Sequence, residues 1–117
     1  MAIKQAEHLW LFSYGTLRDA RVQRAVFGRT LAGEPDSLRG WRSDTIAIGD
    51  ADVAALSGLE VHSILRASHD PADVIAGTAL AITPADLPRA DAYETDAYRR
   101  VAVTLASGRR AFVYVGD

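Results

Sequence analysis

The sequence predicts an α+β protein in which short strands outnumber short helices. First, the chain has 117 residues, which suffices for one hydrophobic core but not for two. Second, apolar runs of strand length recur along it, bounded by glycine, proline and polar turn residues. Third, only two segments begin with helix-capping residues, one at Asp19 and one at Thr83. We therefore expect a single domain over residues 1–117.

Composition and charge exclude several classes of protein. The chain is 49% hydrophobic and 24% charged, as is typical of soluble globular proteins. Its 13 basic and 15 acidic residues give a net charge of −2, so there is no electrostatic basis for binding nucleic acid. No apolar run approaches the roughly 18 residues of a membrane span, and the first residues lack a cleavable signal pattern. We expect a cytoplasmic protein that binds neither membranes nor nucleic acid.

The first predicted elements are a strand and a helix joined by a Tyr-Gly-Thr-Leu loop. The short apolar run from Leu9 to Ser13 predicts a strand buried on both faces. The loop consists of Tyr14, Gly15, Thr16 and Leu17. Asp19 suits a helix N-cap, because its carboxylate can accept from free N–H groups in the first turn. Apolar residues at helical spacing then predict a helix from Ala20 to Phe27, ended by Gly28.

The middle and the C-terminal part of the chain are predicted to be mostly strands. Residues 38–48 suit an extended segment interrupted at Gly40. Residues 59–67 and 74–83 predict two further strands joined by a polar turn. The last two apolar runs, residues 100–106 and 109–115, flank a Ser-Gly pair that is typical of a hairpin.

A second helix is predicted shortly before the last hairpin. Thr83 stands where an N-cap belongs, and an acidic residue follows in the first turn. Pro88 disfavours helical geometry at the preceding residue, so we expect one turn, a break, and then a helix from Pro88 to Glu94. In that helix Ala90 and Glu94 share a face, which places a carboxylate at the end of an apolar stripe.

The usual catalytic and metal-binding motifs are missing from the sequence. There is no cysteine, which excludes disulfides and thiol nucleophiles and is consistent with a reducing compartment. The three histidines, His8, His62 and His69, have no metal-ligand spacing, and no serine lies in a GxSxG elbow. No phosphate-binding or dinucleotide fingerprint occurs. We expect neither a metal nor a cofactor.

Two features remain as functional candidates, and each has a structural alternative. The Tyr14–Leu17 loop is either a plain turn or a backbone concavity that holds an anion such as a carboxylate. Glu94 is either a catalytic acid or a partly buried carboxylate paired with Arg99 or Arg100.

In order along the chain, these pieces resemble the AIG2-like branch of the gamma-glutamylcyclotransferase-like family. The most specific parts are the YGTL loop and an E-x3-Y-R pattern at Glu94, Tyr98 and Arg99; "GWR", "VIAGTALAIT" and "GRRAFVYV" also contribute. The resemblance implies a small mixed β-barrel of about five to seven strands with short flanking helices. It also implies that the loop binds substrate through its backbone and that Glu94 is the general acid/base. We further expect Tyr98 to line the cleft and bind substrate, with core packing of its ring as the alternative.

The family's reaction converts a small γ-glutamyl amine or peptide into 5-oxoproline and a free amine. The substrate's α-amino group attacks its own γ-carbonyl, so this transferase or lyase chemistry needs a base and an acid but no enzyme nucleophile and no metal. A non-catalytic module that binds an amino-acid-like ligand is the alternative, and a different acyl or amide transfer is a second one. Monomer and homodimer both remain open.

Overall fold

The computed structural model describes residues 9–47, 61–94 and 98–116. Seven strands, two helices and one 3-10 turn lie in these ranges. The strands are β1 (Leu9–Ser13), β2 (Gly33–Arg39), β3 (Trp41–Ala47), β4 (Val61–Ala67), β5 (Val74–Ile82), β6 (Arg99–Thr104) and β7 (Arg110–Val115). The helices are α1 (Ala20–Phe27) and α2 (Asp86–Glu94), and the 3-10 turn is Thr16–Arg18. The predicted mixed α+β fold class is confirmed.

The strands form a five-stranded sheet and a two-stranded sheet. The larger sheet has the order β2-β5-β1-β7-β6, and β3 pairs with β4 in the smaller one. The central strand β1 is antiparallel to β5 and parallel to β7. Leu11 and Phe12 at its centre are at most 1% exposed, as expected for a strand covered on both faces.

The two sheets do not close into a true barrel, although the larger one curls back on itself. At the tip of the β6–β7 hairpin, the Ala106 N–H donates to the Ser37 carbonyl of β2, at the opposite edge of the sheet, over 2.8 Å. The side chain of Asp36, only 2% exposed, accepts hydrogen bonds from Ser107 and Arg109 of the same hairpin. A clamp of side chains therefore joins the sheet's two ends.

The first helix forms as the sequence predicts. The Asp19 carboxylate accepts from the Arg21 N–H over 2.8 Å, which satisfies one free donor of the first turn. Gly28 adopts a left-handed conformation with φ 77° and donates to the Arg24 carbonyl. The predicted break at Gly40 is also present, because it separates β2 from β3.

The second helix differs from the prediction, since it is continuous from Asp86 to Glu94 with no break at Pro88. Proline is tolerated here because it lies in the first turn, where backbone N–H groups have no intrahelical acceptor. The Leu87 N–H donates to the Pro84 carbonyl over 3.2 Å, so that carbonyl does not need the donor that Pro88 lacks. The expected break was therefore wrong.

The core has two clusters of buried side chains, one on each face of the large sheet. The first joins the sheet to both helices and contains Leu11, Leu17, Val22, Phe27, Leu80, Ile82, Ala90, Tyr93 and Tyr114. The second contains Phe12, Leu38, Leu65, Ala79, Leu105, Ala111, Val113 and Val115. Packing in the first cluster brings the Tyr14–Leu17 loop next to α2.

Candidate functional site

The Tyr14–Leu17 loop presents backbone rather than side chains. Around the position of a Cβ on Gly15 there is no heavy atom within 4 Å, so a ligand can approach the backbone there. The N–H groups of Thr16 and Leu17 begin a 3-10 turn and find no backbone acceptor within the described ranges, as is normal for the start of a helical turn. Leu17 itself is 2% exposed and anchors the loop in the core.

Arg18 fixes the orientation of the loop, a role that the sequence analysis missed. Its Nε donates to the Gly15 carbonyl over 3.1 Å, and its Nη2 donates to the Tyr14 carbonyl over 3.0 Å. Both carbonyls are therefore occupied by one guanidinium. The only signal in the sequence is that an arginine follows Gly15 at a spacing of one helical turn.

Glu94 is the last residue of α2, and its carboxyl group is partly buried. Burial raises the pKa of this carboxyl from an ordinary 4.5 to about 8. No charge or hydrogen bond of a described residue contributes to this shift. Arg100 pairs with Asp91 over 3.0 Å. The alternative in which Arg100 pairs with Glu94 is thus not what is observed.

All four tyrosines of the chain lie close enough to Glu94 for its charge to act on their phenols. Burial raises the pKa of each phenol above 10, and the negative charge of Glu94 contributes to every one of these shifts. The four residues are Tyr14, Tyr93, Tyr98 and Tyr114. Burial of the Glu94 carboxyl disfavours its charged form.

Three of these phenols have defined hydrogen-bond partners. Tyr14 donates to the Tyr114 carbonyl over 2.6 Å, which ties the loop to β7. Tyr114 donates to the Asp91 carboxylate, also over 2.6 Å, which ties β7 to α2. Tyr93 and Thr16 share a hydrogen bond of 2.5 Å, which ties α2 to the loop. Loop, strand and helix are thus joined pairwise by three side-chain hydrogen bonds next to the end of α2.

The structure therefore brings the predicted residues into one region. Thr16 bonds to Tyr93, the residue before Glu94, while Leu17 and Tyr93 belong to the same core cluster. Tyr98 is partly buried and close enough to Glu94 to feel its charge. In the ranges that the structure describes, no group of three potential ligands could hold a metal ion, and no helix is long and apolar enough to cross a membrane.

Sequence comparison places the chain in a family. It matches the family model described as "Gamma-glutamyl cyclotransferase, AIG2-like" over residues 11–117. The chain belongs to this family. No curated protein matches it. The resemblance deduced from the YGTL loop and the Glu94 pattern is thereby confirmed at the level of the family.

Solved structures with the same fold include one that is named a gamma-glutamyl cyclotransferase. A solution structure of an Arabidopsis thaliana protein has a TM-score of 0.72 at 19% identity and covers 93% of this chain and 62% of that one. A gamma-glutamyl cyclotransferase has a TM-score of 0.70 at 14% identity, covering 95% and 68%. A crystal structure of an uncharacterized Homo sapiens protein gives 0.68 at 15%, covering 95% and 68%. The chain spans less than two thirds of the first of these proteins, and identities this low show the fold alone.

Proposed function

We propose that this AIG2-like protein is a gamma-glutamyl cyclotransferase that converts a small γ-glutamyl amine or peptide into 5-oxoproline and a free amine. The observation that carries the proposal is Glu94. It is a partly buried carboxyl whose pKa is raised to about 8, and it follows Tyr93, which is hydrogen-bonded to a loop whose Thr16 and Leu17 N–H groups have no backbone acceptor among the described residues. Glu94 acts as general base and then as general acid.

The raised pKa of Glu94 matches the proton transfer that the reaction requires. The substrate's α-ammonium has to lose a proton before its nitrogen can attack. From an α-amine of pKa about 7.8 to an ordinary glutamate of about 4.3, this transfer is uphill by about 5 kcal/mol. With the pKa of Glu94 at about 8, the transfer becomes nearly thermoneutral. Burial of the carboxyl therefore removes most of that cost.

The same carboxyl can complete the reaction. After the proton has moved to Glu94, the α-nitrogen forms a bond to the γ-carbon, and the bond from that carbon to the departing nitrogen breaks. Glu94 returns its proton to the departing nitrogen as that bond breaks. The ring nitrogen loses its second proton, which leaves with the amine as an ammonium group, so the enzyme ends in the state in which it began. No covalent enzyme intermediate is formed, in agreement with the lack of cysteine in the chain.

The loop binds the part of the substrate that does not react. The N–H groups of Thr16 and Leu17 suit the α-carboxylate, and Tyr98 lines the same region. Arg18 holds the carbonyls of Tyr14 and Gly15, so these acceptors are occupied and do not repel an anion. Such fixation directs the α-nitrogen at the γ-carbon, and positioning of this kind is worth several orders of magnitude in rate.

The test is release of 5-oxoproline from a panel of γ-glutamyl amines and peptides. We expect turnover by the wild type and a loss of at least about 100-fold in Glu94→Gln, because the variant can neither accept nor return the proton. Glu34→Gln is the matched control, since it neutralises an exposed acid of β2 away from the loop. Ligand binding that survives Glu94→Gln, without turnover by the wild type on any substrate, would instead indicate the non-catalytic binding module.

A further inference from the structure

Tyr93 makes a contact that the reaction scheme does not use. Its phenol oxygen lies 2.5 Å from Oγ1 of Thr16, across 77 positions of sequence. Among the described residues, this is the only side-chain hydrogen bond between the Tyr14–Leu17 loop and α2. It therefore connects the loop directly to the helix that ends in Glu94.

The surroundings of Tyr93 make this contact stiff. Its side chain is only 7% exposed and packs in the same cluster as Leu17 and Ala90. Thr16, its partner, carries one of the two N–H groups that have no backbone acceptor. A displacement of Thr16 therefore moves a proposed ligand donor. Glu94 follows Tyr93 directly in the chain, so the Thr16–Tyr93 bond links that donor to the proposed acid/base.

We propose that Tyr93 is a positioning residue, whose phenol holds Thr16 and thereby sets the distance between the binding loop and the Glu94 carboxyl. The proposal rests on the proposed function, because that distance matters only if loop and carboxyl serve one substrate. The α-carboxylate on the loop and the α-nitrogen facing Glu94 belong to the same substrate carbon. A misplacement of about 1 Å in such an arrangement can cost about 100-fold in rate.

The experiment compares 5-oxoproline release by Tyr93→Phe, Thr16→Val, Thr16→Ser and the double variant Tyr93→Phe/Thr16→Val. Tyr93→Phe and Thr16→Val each remove the hydrogen bond, and each should lower kcat by at least about tenfold, with a smaller change in KM. The kcat of the double variant should be no lower than that of the slower single variant, because both substitutions remove the same hydrogen bond. Thr16→Ser keeps the hydroxyl and should recover most of the activity that Thr16→Val loses.

A purely structural role for Tyr93 predicts a different outcome. All rates are measured on protein shown by circular dichroism to be folded, so lost stability does not count as lost catalysis. Additive losses in the double variant, or unchanged kcat in Tyr93→Phe, overturn the proposal while leaving the function of Glu94 intact.

A second measurement does not depend on turnover. Amide NMR shifts of Gly15, Thr16 and Leu17 should change in Tyr93→Phe and stay near those of the wild type in Thr16→Ser. Unchanged loop shifts in Tyr93→Phe refute the proposal even if the wild type proves inactive. Changed shifts without any 5-oxoproline release support the coupling of loop and helix and count against the proposed function alone.

Discussion

Glu94 is expected to make the stability of the protein depend on pH. Its carboxyl has a pKa near 4.5 when unfolded and about 8 when folded, because burial disfavours its charge. Between these values the folded state binds more protons, so Glu94 favours folding at low pH and this contribution is lost as the pH rises through about 8. Relative to Glu94→Gln, the wild type should lose about 2–4 kcal/mol between about pH 5 and about pH 9.

Urea unfolding at a series of pH values measures this difference. Glu34→Gln serves as the control and should follow the wild-type curve, since Glu34 is 59% exposed. Parallel curves for the wild type and Glu94→Gln would show that the carboxyl is not buried as the structure has it.

The pH dependence of the proposed reaction follows from the same carboxyl. In the free enzyme Glu94 has to be ionised in order to accept a proton, so kcat/KM should rise through about pH 8. It should fall again once the substrate's α-ammonium, of pKa about 7.8, is itself deprotonated. The result is a narrow bell near pH 8, measured from initial rates of 5-oxoproline release. A kcat/KM that already reaches a plateau near pH 5 would mean that the general base is a carboxylate of ordinary pKa.

At the residue scale, the sequence predicts local contacts and fails for distant ones. Asp19 and Gly28 act as caps within one turn of chain, and both predictions are confirmed. The hydrogen bond of Tyr93, the neighbour of Glu94, joins it to Thr16, 77 positions earlier in the chain. Neither periodicity nor spacing carries that information. The roles proposed for Glu94, the loop and Tyr98 remain predictions.

At the scale of elements, α2 depends on one buried carboxylate. Asp86 accepts from the Thr83 N–H over 2.9 Å, which caps the helix, and it accepts two hydrogen bonds from Arg29, of 2.9 and 2.7 Å. Hydrogen bonding by Arg29 holds the pKa of Asp86 below its ordinary value. The side chain of Asp86 is 4% exposed, whereas that of Arg29 is 46% exposed.

Asp86→Ala should therefore destabilise the protein by about 3 kcal/mol, because a cap and a bidentate ion pair are lost together. Arg29→Ala should cost only about 1 kcal/mol, since it leaves the cap in place and the arginine is half exposed. Urea unfolding gives both values. Equal losses in the two variants would mean that the ion pair, and not the cap, supports α2.

The elements show why some boundaries are predictable from sequence. β1 and α1 form over the predicted residues, because a solid apolar run and a pair of caps each give a strong local signal. β2 begins earlier than predicted, at Gly33, in a segment that is mostly polar and contains Pro35. This strand exists because β5 pairs with it along its whole length. Tertiary pairing thus overrides a weak local preference.

At the scale of the whole molecule, Arg109 holds the two ends of the large sheet together. It donates to Asp36 over 2.9 Å and to Glu34 over 2.5 Å, and its guanidinium lies 4.8 Å from the ring centroid of Trp10. Arg109→Ala should lower the free energy of unfolding, because Asp36 would stay buried without its cation.

Arg110→Ala is the matched control, because the next residue of the hairpin is an exposed arginine. We expect Arg109→Ala to lower the midpoint of thermal unfolding clearly, and Arg110→Ala to shift it by less than about 2 °C. Similar shifts for the two variants would show that the contacts of Arg109 in the clamp do not stabilise the protein.

The position of β1 at the centre of the large sheet has a consequence for the rate of folding. β1 comes early in the chain, yet its neighbours β5 and β7 begin at Val74 and Arg110. Leu11 lies opposite Phe112, so the formation of this pair closes a loop of about 100 residues, at a cost in conformational entropy. Folding should accordingly fall in the slow, millisecond-to-second class of proteins dominated by distant pairings. During synthesis, the second edge of β1 stays uncovered until β7 has been made.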